Sequence, residues 1–129
     1  YDEAANEVWG PESGSMHGFS AKDVLAAIRK RAGITQPDKY LASITTKEAM
    51  REFIRNERRL ELCFESFRFW DLRRWKEDLT QPARGVRIEN STYNYFTVEE
   101  RIYQNGYMHY GPIPYSEVLK YGIEQNAGW

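Results

Sequence analysis

The sequence predicts a mainly α-helical protein whose C-terminal part is long, irregular and partly β. In residues 1–79, apolar residues recur at helical spacing behind residues that favour helix N-termini. Between Thr80 and Tyr110 no helical stripe is sustained, and proline, glycine and asparagine interrupt the chain. Because 129 residues suffice for one modest domain, we expect helices over residues 1–79 and, over residues 80–129, an irregular tyrosine-rich tail with a short terminal helix.

The composition argues against several classes of protein. Eighteen basic and nineteen acidic residues give a formal net charge of −1, whereas proteins that bind nucleic acid normally carry an excess of lysine and arginine. No apolar run approaches the roughly 20 residues that span a bilayer. The single cysteine, Cys63, excludes an internal disulfide framework. The aromatic content of 15% is unusual, and it predicts that some rings are exposed or covered by a partner.

The first predicted elements form a helix pair. Tyr1–Trp9 has the spacing of an amphipathic helix, and Gly10-Pro11 stops it. Ser20 is a good N-cap for a second helix, which Gly33 is placed to end. Since the first of these helices begins without a cap, we expect the chain to belong to a longer protein.

The third predicted helix is unusual because glutamates interrupt its apolar stripe. A capping box, Thr45-x-x-Glu48, precedes an apolar series that runs from Met50 to Phe67. Glu57 and Glu61 fall inside this stripe, and with Glu65 they follow one another at intervals of four residues, where like charges repel. The arginines expected to neutralise them are Arg58, Arg68, Arg73 and Arg74. We interpret the pattern as a buried ion-pair network that orients the helix.

Catalytic and metal-binding alternatives have weaker support. Glu57 and Glu61 have roughly the separation of a glycosidase pair, but both project from one face of one helix and cannot flank a sugar. The two histidines, His17 and His109, are far apart in the sequence and lack ligands at helical spacing, so we predict no metal site. There is no glycine-rich phosphate loop, and no cofactor is predicted.

The tyrosine-rich tail is the remaining candidate for binding. We predict short strands near Val86–Ile88 and Tyr93–Val98 and a short helix over Tyr115–Lys120 that Gly122 ends. Flat rings interleaved with amide side chains suit sugars, which have apolar faces and a rim of hydroxyls. The same rings also suit an irregular core or a protein-docking surface. The candidate ligand-binding residues are Tyr93, Tyr95, Tyr103, Tyr107 and Tyr110.

Three segments resemble a known family. Arg55–Trp75, RNERRLELCFESFRFWDLRRW, resembles the signature helix of the SusD/RagB family, the outer-membrane nutrient-binding lipoproteins of Bacteroidetes. Ala26–Ile34, AAIRKRAGI, is similar to the helix that precedes the signature. The ending, with Pro112-Ile113-Pro114 and Gln125-Asn126-Ala127-Gly128-Trp129, resembles the closing motif. Ser66 stands where the family usually has glycine, so either the backbone is strained there or the helix continues through it.

The resemblance implies a C-terminal portion of a SusD-like domain, built from tetratricopeptide-like helix pairs in an α–α superhelix. It implies a cell-surface lipoprotein, anchored by a cysteine outside this sequence, that captures oligosaccharides or, in some members, peptides. The partner implied is a TonB-dependent SusC-like transporter, and no catalytic activity is implied. The signature residues implied to be structural are Glu57, Arg58, Glu61, Glu65, Arg68, Asp71 and Arg74. The alternative is a helical-repeat scaffold that binds only protein.

Overall fold

The computed structural model describes residues 1–14 and 17–129. The chain divides into two compact units, Tyr1–Cys63 and Phe64–Trp129. The first contains α1 (Asp2–Trp9), α2 (Ala21–Arg31), α3 (Lys39–Ser43) and α4 (Lys47–Glu61). The second contains α5 (Phe67–Arg74), β1 (Ala83–Glu89), β2 (Thr92–Glu99), a 3₁₀ turn (Tyr107–His109) and α6 (Tyr115–Tyr121). The predicted class, mainly α with a partly β C-terminal segment, is confirmed.

The first two helices begin and end near the predicted residues. Gly10 follows α1 with a φ of 88°, a conformation that glycine adopts without strain. Ser20 caps α2 in a reciprocal capping box with Asp23: the Asp23 N–H donates to Ser20 Oγ, and the Ser20 N–H donates to Asp23 Oδ2. These short-range signals are sufficient to position both helices.

The core of the first unit is formed by one face of each helix and by the residue that follows α3. Helix α1 contacts both α2 and α4. Leu25 of α2 and Met50 of α4 are completely buried, and both lie in the stripes that helical spacing predicts. The buried cluster comprises Ala5, Ala21, Leu25, Leu41, Ile44, Met50, Phe53 and Ile54.

Helix α4 differs from the prediction at its beginning. Its N-cap is Thr46, whose Oγ1 accepts a hydrogen bond from the Ala49 N–H at 3.2 Å. The predicted capping box starting at Thr45 is therefore wrong by one residue. Two adjacent threonines offer the same cap chemistry, so local sequence does not choose between them.

The end of α4 also differs, because the predicted stripe from Met50 to Phe67 is broken. The helix ends at Glu61, and Phe64 and Ser66 adopt left-handed backbone conformations with φ of 67° and 64°. Such residues interrupt the helical hydrogen bonds, so α5 begins as a separate helix. Phe64 is consequently fully exposed within this chain. Cys63 is exposed in the turn as well.

The second unit contains a β-hairpin where two strands are predicted. Strands β1 and β2 are antiparallel, with Ile88 opposite Tyr93 and Val86 opposite Tyr95. The two turn residues, Asn90 and Ser91, both have positive φ, as the tight hairpin turns that match strand twist require. All of β2 is exposed.

The C-terminal segment packs back onto itself after the hairpin. The predicted short helix is confirmed as α6, and Gly122 ends it in the left-handed conformation with a φ of 61°. The Gln125 side-chain amide pairs with the backbone of Ile113: its Oε1 accepts from the Ile113 N–H at 2.7 Å, and its Nε2 donates to the Ile113 carbonyl at 2.8 Å. This pairing joins both ends of the terminal segment.

Candidate functional site

The buried charge in the first unit is centred on Arg29 of α2. Its Nη1 donates to Glu57 Oε1 at 2.5 Å, and its Nε donates to Asp38 Oδ2 at 2.5 Å. Less than a sixth of each side chain is exposed. The hydrogen bond from Arg29 holds the pKa of Asp38 below its usual value. Burial by itself lowers the pKa of Arg29, but hydrogen bonds and charge from both carboxylates outweigh it and raise that pKa.

The other acidic residues of the predicted ion-pair network have different surroundings. Glu61 pairs with Arg31, whose side chain is 72% exposed. In the second unit, Asp71 is buried and its Oδ1 lies 3.3 Å from Arg74 Nη2. Glu65, Arg68 and Arg58 complete the predicted set; Glu65 and Arg68 are exposed and Arg58 is half-buried. The network as a whole stays a prediction.

Sequence reasoning did not identify the partners of Glu57 and Glu61. It considered arginines close to them in the sequence, whereas Arg29 and Arg31 belong to the preceding helix α2. Asp38 was missed as well, although it caps α3 by accepting from the N–H groups of Tyr40 and Leu41. An aspartate in an N-cap position was the available signal. Glu57 is buried and its Oε1 accepts from a guanidinium, so it takes part in an ion pair.

Two of the candidate tyrosines lie on one face of the hairpin. Tyr93 and Tyr95 are 60% and 74% exposed. They are separated by one residue on β2, so their side chains share a face. Ile88 and Val86 lie opposite them. This face is an exposed apolar strip with two phenol groups.

The other candidates lie in the segment between β2 and α6. Tyr107 and Tyr110 line a cavity of about 550 Å³, together with Lys76, His109 and Asn126. A volume of that size is typical of small-ligand sites. We name it the Tyr110 cavity. Tyr110 also lines a smaller hollow of about 150 Å³, the Arg73 pocket, whose walls include Phe69, Arg73, Tyr103 and Trp129.

Hydrogen bonds of His109 hold one wall of the Tyr110 cavity. The Gly106 N–H donates to His109 Nδ1 at 3.1 Å, and His109 Nε2 lies 2.9 Å from the Glu77 carbonyl oxygen. A carbonyl only accepts, so Nε2 carries the proton. Both ring nitrogens are therefore occupied, and the imidazole acts as a wall of the cavity.

Two residues near the C-terminus, Asn126 and Ala127, also line the Tyr110 cavity. The rings of Tyr107 and Trp129 meet edge to face with centroids 5.2 Å apart. Trp129 Nε1 donates to the Tyr110 carbonyl, and Asn126 Nδ2 donates to the Gly111 carbonyl. These contacts explain how the closing motif of the sequence contributes to the cavity.

A polar cluster around Asp78 fixes the loop that enters this region. Its carboxylate accepts from the Thr80 backbone and hydroxyl, from Gln81 Nε2 and from Asn105 Nδ2. Asn105 Oδ1 in turn accepts from the Leu79 N–H at 3.0 Å. The hydrogen bond from the Thr80 side chain, followed by those from Asn105, the Thr80 backbone and Gln81, holds the pKa of Asp78 far below its usual range.

Comparison with known families identifies the chain. The model of the SusD family, SusD_RagB, matches residues 1–129. The chain belongs to the SusD family. The resemblance of the three sequence segments is thereby confirmed. No curated protein and no solved structure matches the chain.

In general, SusD-family proteins bind nutrients such as glycans at the cell surface. The family is one of binding proteins, not of enzymes. They are associated with the outer membrane. Within residues 1–14 and 17–129 of this SusD-family chain, no helix has both the length and the hydropathy to cross a bilayer. The ligand contacts of the five tyrosines stay predictions.

Proposed function

We propose that this SusD-family chain is part of a non-enzymatic protein that captures oligosaccharides at the outer-membrane surface. The captured ligand is then delivered to a TonB-dependent SusC-like transporter. The observation that carries the proposal is the family match over residues 1–129. A lipid anchor on a cysteine outside this sequence holds the protein at the surface.

The exposed aromatic residues of the second unit support a sugar ligand. Tyr95, Tyr103 and Tyr110 are 74%, 41% and 56% exposed, although burial of large rings is strongly favourable in water. Asn126 lines the same cavity as Tyr110. Rings that stack on the C–H face of a sugar, together with amides at its edge, meet the chemical requirements of oligosaccharide recognition.

Titration of the complete natural protein with a broad panel of oligosaccharides, followed by tryptophan fluorescence, tests capture. We expect a saturable change with at least one glycan, because tryptophan emission responds to ligand nearby. If no glycan of the panel changes the tryptophan fluorescence while the circular-dichroism spectrum is that of a folded protein, sugar capture is contradicted and peptides become the next ligands to test.

Single alanine substitutions at Tyr95, Tyr103 and Tyr107 test whether the tyrosine-rich tail contributes to ligand binding. Loss of one stacked ring is expected to weaken binding by up to about tenfold, since an aromatic contact contributes up to about 1.5 kcal/mol beyond area burial. Tyr121→Ala is the control, because Tyr121 is an exposed tyrosine of the same unit that is not among the five candidate ligand-binding residues. Unchanged affinity in all three folded variants removes the tail from the ligand site.

Delivery to a transporter is tested separately. The complete protein, purified with a C-terminal tag from detergent-solubilised outer membranes, is expected to bring with it a large β-barrel protein. Its absence under conditions that preserve glycan binding contradicts the transporter partnership while leaving capture intact.

A second candidate function is a scaffold that binds only protein. The exposure of the hairpin favours it, since an isolated two-stranded hairpin is marginally stable in water and β2 is exposed throughout. Trp70, 65% exposed, belongs to the residue types enriched at interfaces. A soluble protein partner that binds the chain, together with no response to any glycan, supports the scaffold.

A further inference from the structure

We propose that the Tyr110 cavity and the adjoining Arg73 pocket receive an anionic sugar unit, a uronic acid or a sulfated sugar. The inference rests on the proposed function and specifies its substrate class. The two hollows share Tyr110 as a common wall, so a ligand in one lies next to the other.

The charges of the walls are of one sign. Lys76 lines the Tyr110 cavity and Arg73 lines the Arg73 pocket, and among the described residues neither lining contains an aspartate or a glutamate. Arg73 is half-buried and Lys76 is exposed, and two cations with no acidic neighbour in the lining attract an anion. A carboxylate or sulfate that enters between them supplies this anion.

Arg73 is held in position without a carboxylate partner in the described part of the chain. Its guanidinium stacks on Phe69, with Cζ 3.5 Å from the ring centroid, and lies 5.8 Å from the centroid of Tyr103. Its Nη1 donates to the Phe69 carbonyl at 3.1 Å. A planar guanidinium fixed on aromatic faces keeps further N–H groups for a carboxylate or sulfate, and its geometry suits both.

Lys76 occupies a position that glycine adopts more easily. It follows α5 as the left-handed residue of a Schellman motif, with a φ of 54°, and its N–H and that of Glu77 donate to the Arg73 and Leu72 carbonyls. The backbone at this turn does not require a lysine. Its ammonium group therefore provides the cavity with a charge that the fold does not need.

The neutral walls suit the rest of a sugar. The rings of Tyr107 and Tyr110 offer surfaces for stacking, and Asn126 keeps its Oδ1 available for a hydroxyl while Nδ2 is bonded to Gly111. His109 contributes no free nitrogen. A cation and flat rings in the same lining favour an acidic sugar over a free inorganic anion, which has no ring to stack.

The test uses the complete natural protein and matched ligands: a glucuronate-containing disaccharide, its neutral glucose counterpart and a sulfated disaccharide. Calorimetric titration is expected to give tighter binding of the two anionic ligands, weakening as ionic strength rises. The two anionic ligands distinguish carboxylate from sulfate recognition. Inorganic sulfate at the same concentration is expected to bind at least tenfold more weakly, about the effect of losing one stacked ring.

Lys76→Gly is the decisive variant, since it removes the ammonium group and places the favoured residue at the left-handed position. We expect unchanged or higher thermal stability, about tenfold weaker binding of the anionic ligands, and unchanged binding of the neutral one. Lys76→Gln repeats the test without a backbone change. Lys120→Ala, which removes a positive charge outside both hollows, is expected to leave binding unchanged.

The inference is overturned if neutral and anionic disaccharides bind with equal affinity and Lys76→Gly changes neither affinity. That outcome leaves oligosaccharide capture standing. If no oligosaccharide, neutral or anionic, binds to the protein, the proposed function itself is contradicted.

Discussion

Arg29 Nη1 donates to Glu57 Oε1 across 2.5 Å, and Glu57 is only 6% exposed. The hydrogen bond joins α2 to α4, two helices of the first unit. It explains how a glutamate is accommodated in an otherwise apolar stripe, because a buried carboxylate requires a compensating charge. The second carboxylate on Arg29, from Asp38, gives the guanidinium an acidic partner on each side.

Glu57→Gln is expected to lower the free energy of unfolding by about 2 kcal/mol, because a buried charge-assisted hydrogen bond is lost. Chemical denaturation followed by circular dichroism measures the change. Glu61→Gln is the matched control, since its partner Arg31 is largely exposed and such pairs contribute about 0–1 kcal/mol. Equal losses in the two variants contradict the distinction drawn between them.

Asp78 is expected to make the second unit sensitive to acid. Its hydrogen bonds favour the carboxylate, so its pKa is lower in the folded chain than in the unfolded chain. The stabilisation is complete above the unfolded value of about 3.9, and it is lost as pH falls below that value toward the folded pKa. Carboxyl carbon NMR is expected to show Asp78 still ionised at about pH 3.

Asp78→Asn removes this linkage. The variant is expected to be less stable at neutral pH and to show a smaller loss of stability on acidification than the unmodified protein. Other carboxylates with lowered pKa, those of Glu7, Asp23 and Asp38, remain in the variant. An unchanged pH dependence shows that the cluster around Asp78 contributes nothing to acid stability.

Ser66→Gly is expected to raise the free energy of unfolding by about 1 kcal/mol. Ser66 has a φ of 64°, a conformation that costs a residue with a side chain roughly 1–2 kcal/mol. Glycine avoids this cost, but its more flexible unfolded chain offsets part of the gain. Ser116→Gly is the matched control inside helix α6, where the same change is destabilising. A denaturant midpoint that rises in Ser66→Gly and falls in Ser116→Gly confirms the prediction, and a loss of stability in both variants refutes it.

Gly128→Ala is expected to disrupt the Tyr107–Trp129 contact. A Cβ at Gly128 would lie 2.6 Å from Tyr107 Cβ and Cγ, and the φ of 92° disfavours any side chain. The expected cost is about 2 kcal/mol or more, visible as altered tryptophan emission. Gly111→Ala, whose Cβ meets nothing within 4 Å, is expected to leave the emission unchanged, and equal emission changes in both variants would contradict the steric explanation.

The sequence predicted the elements whose signals lie within a few residues. Ser20 and Asp23 cap α2 as expected, and Gly122 ends α6. At Ser66 the sequence left two alternatives, a strained backbone and a continuous helix, and the structure has the strained backbone. The break at Phe64 was not predicted, because helical spacing persists through a turn that replaces helical hydrogen bonds. Apolar periodicity reports which residues suit a helix, and it does not report where the backbone leaves one.

The candidate site shows the same division. The tyrosines and amides of the tail are visible in the sequence, so this part of the chemistry of a sugar-binding surface was accessible from it. Their grouping was not: Tyr107 and Tyr110 share a cavity with Lys76 and Asn126, while Tyr93 and Tyr95 lie on the hairpin. These residues are tens of positions apart in the sequence, and a local sequence pattern does not show which distant residues come together.

By itself, the sequence determined the family, the helical class and the presence of glutamates in an apolar stripe, since motifs and periodicity are properties of neighbouring residues. Only the tertiary structure decided that Arg29 and Arg31, from an earlier helix, neutralise Glu57 and Glu61. It also decided that Lys76 and Tyr110 face one hollow. The physical reason is that charge pairing and cavity formation depend on distance in space, which the chain sets only when its separate elements pack.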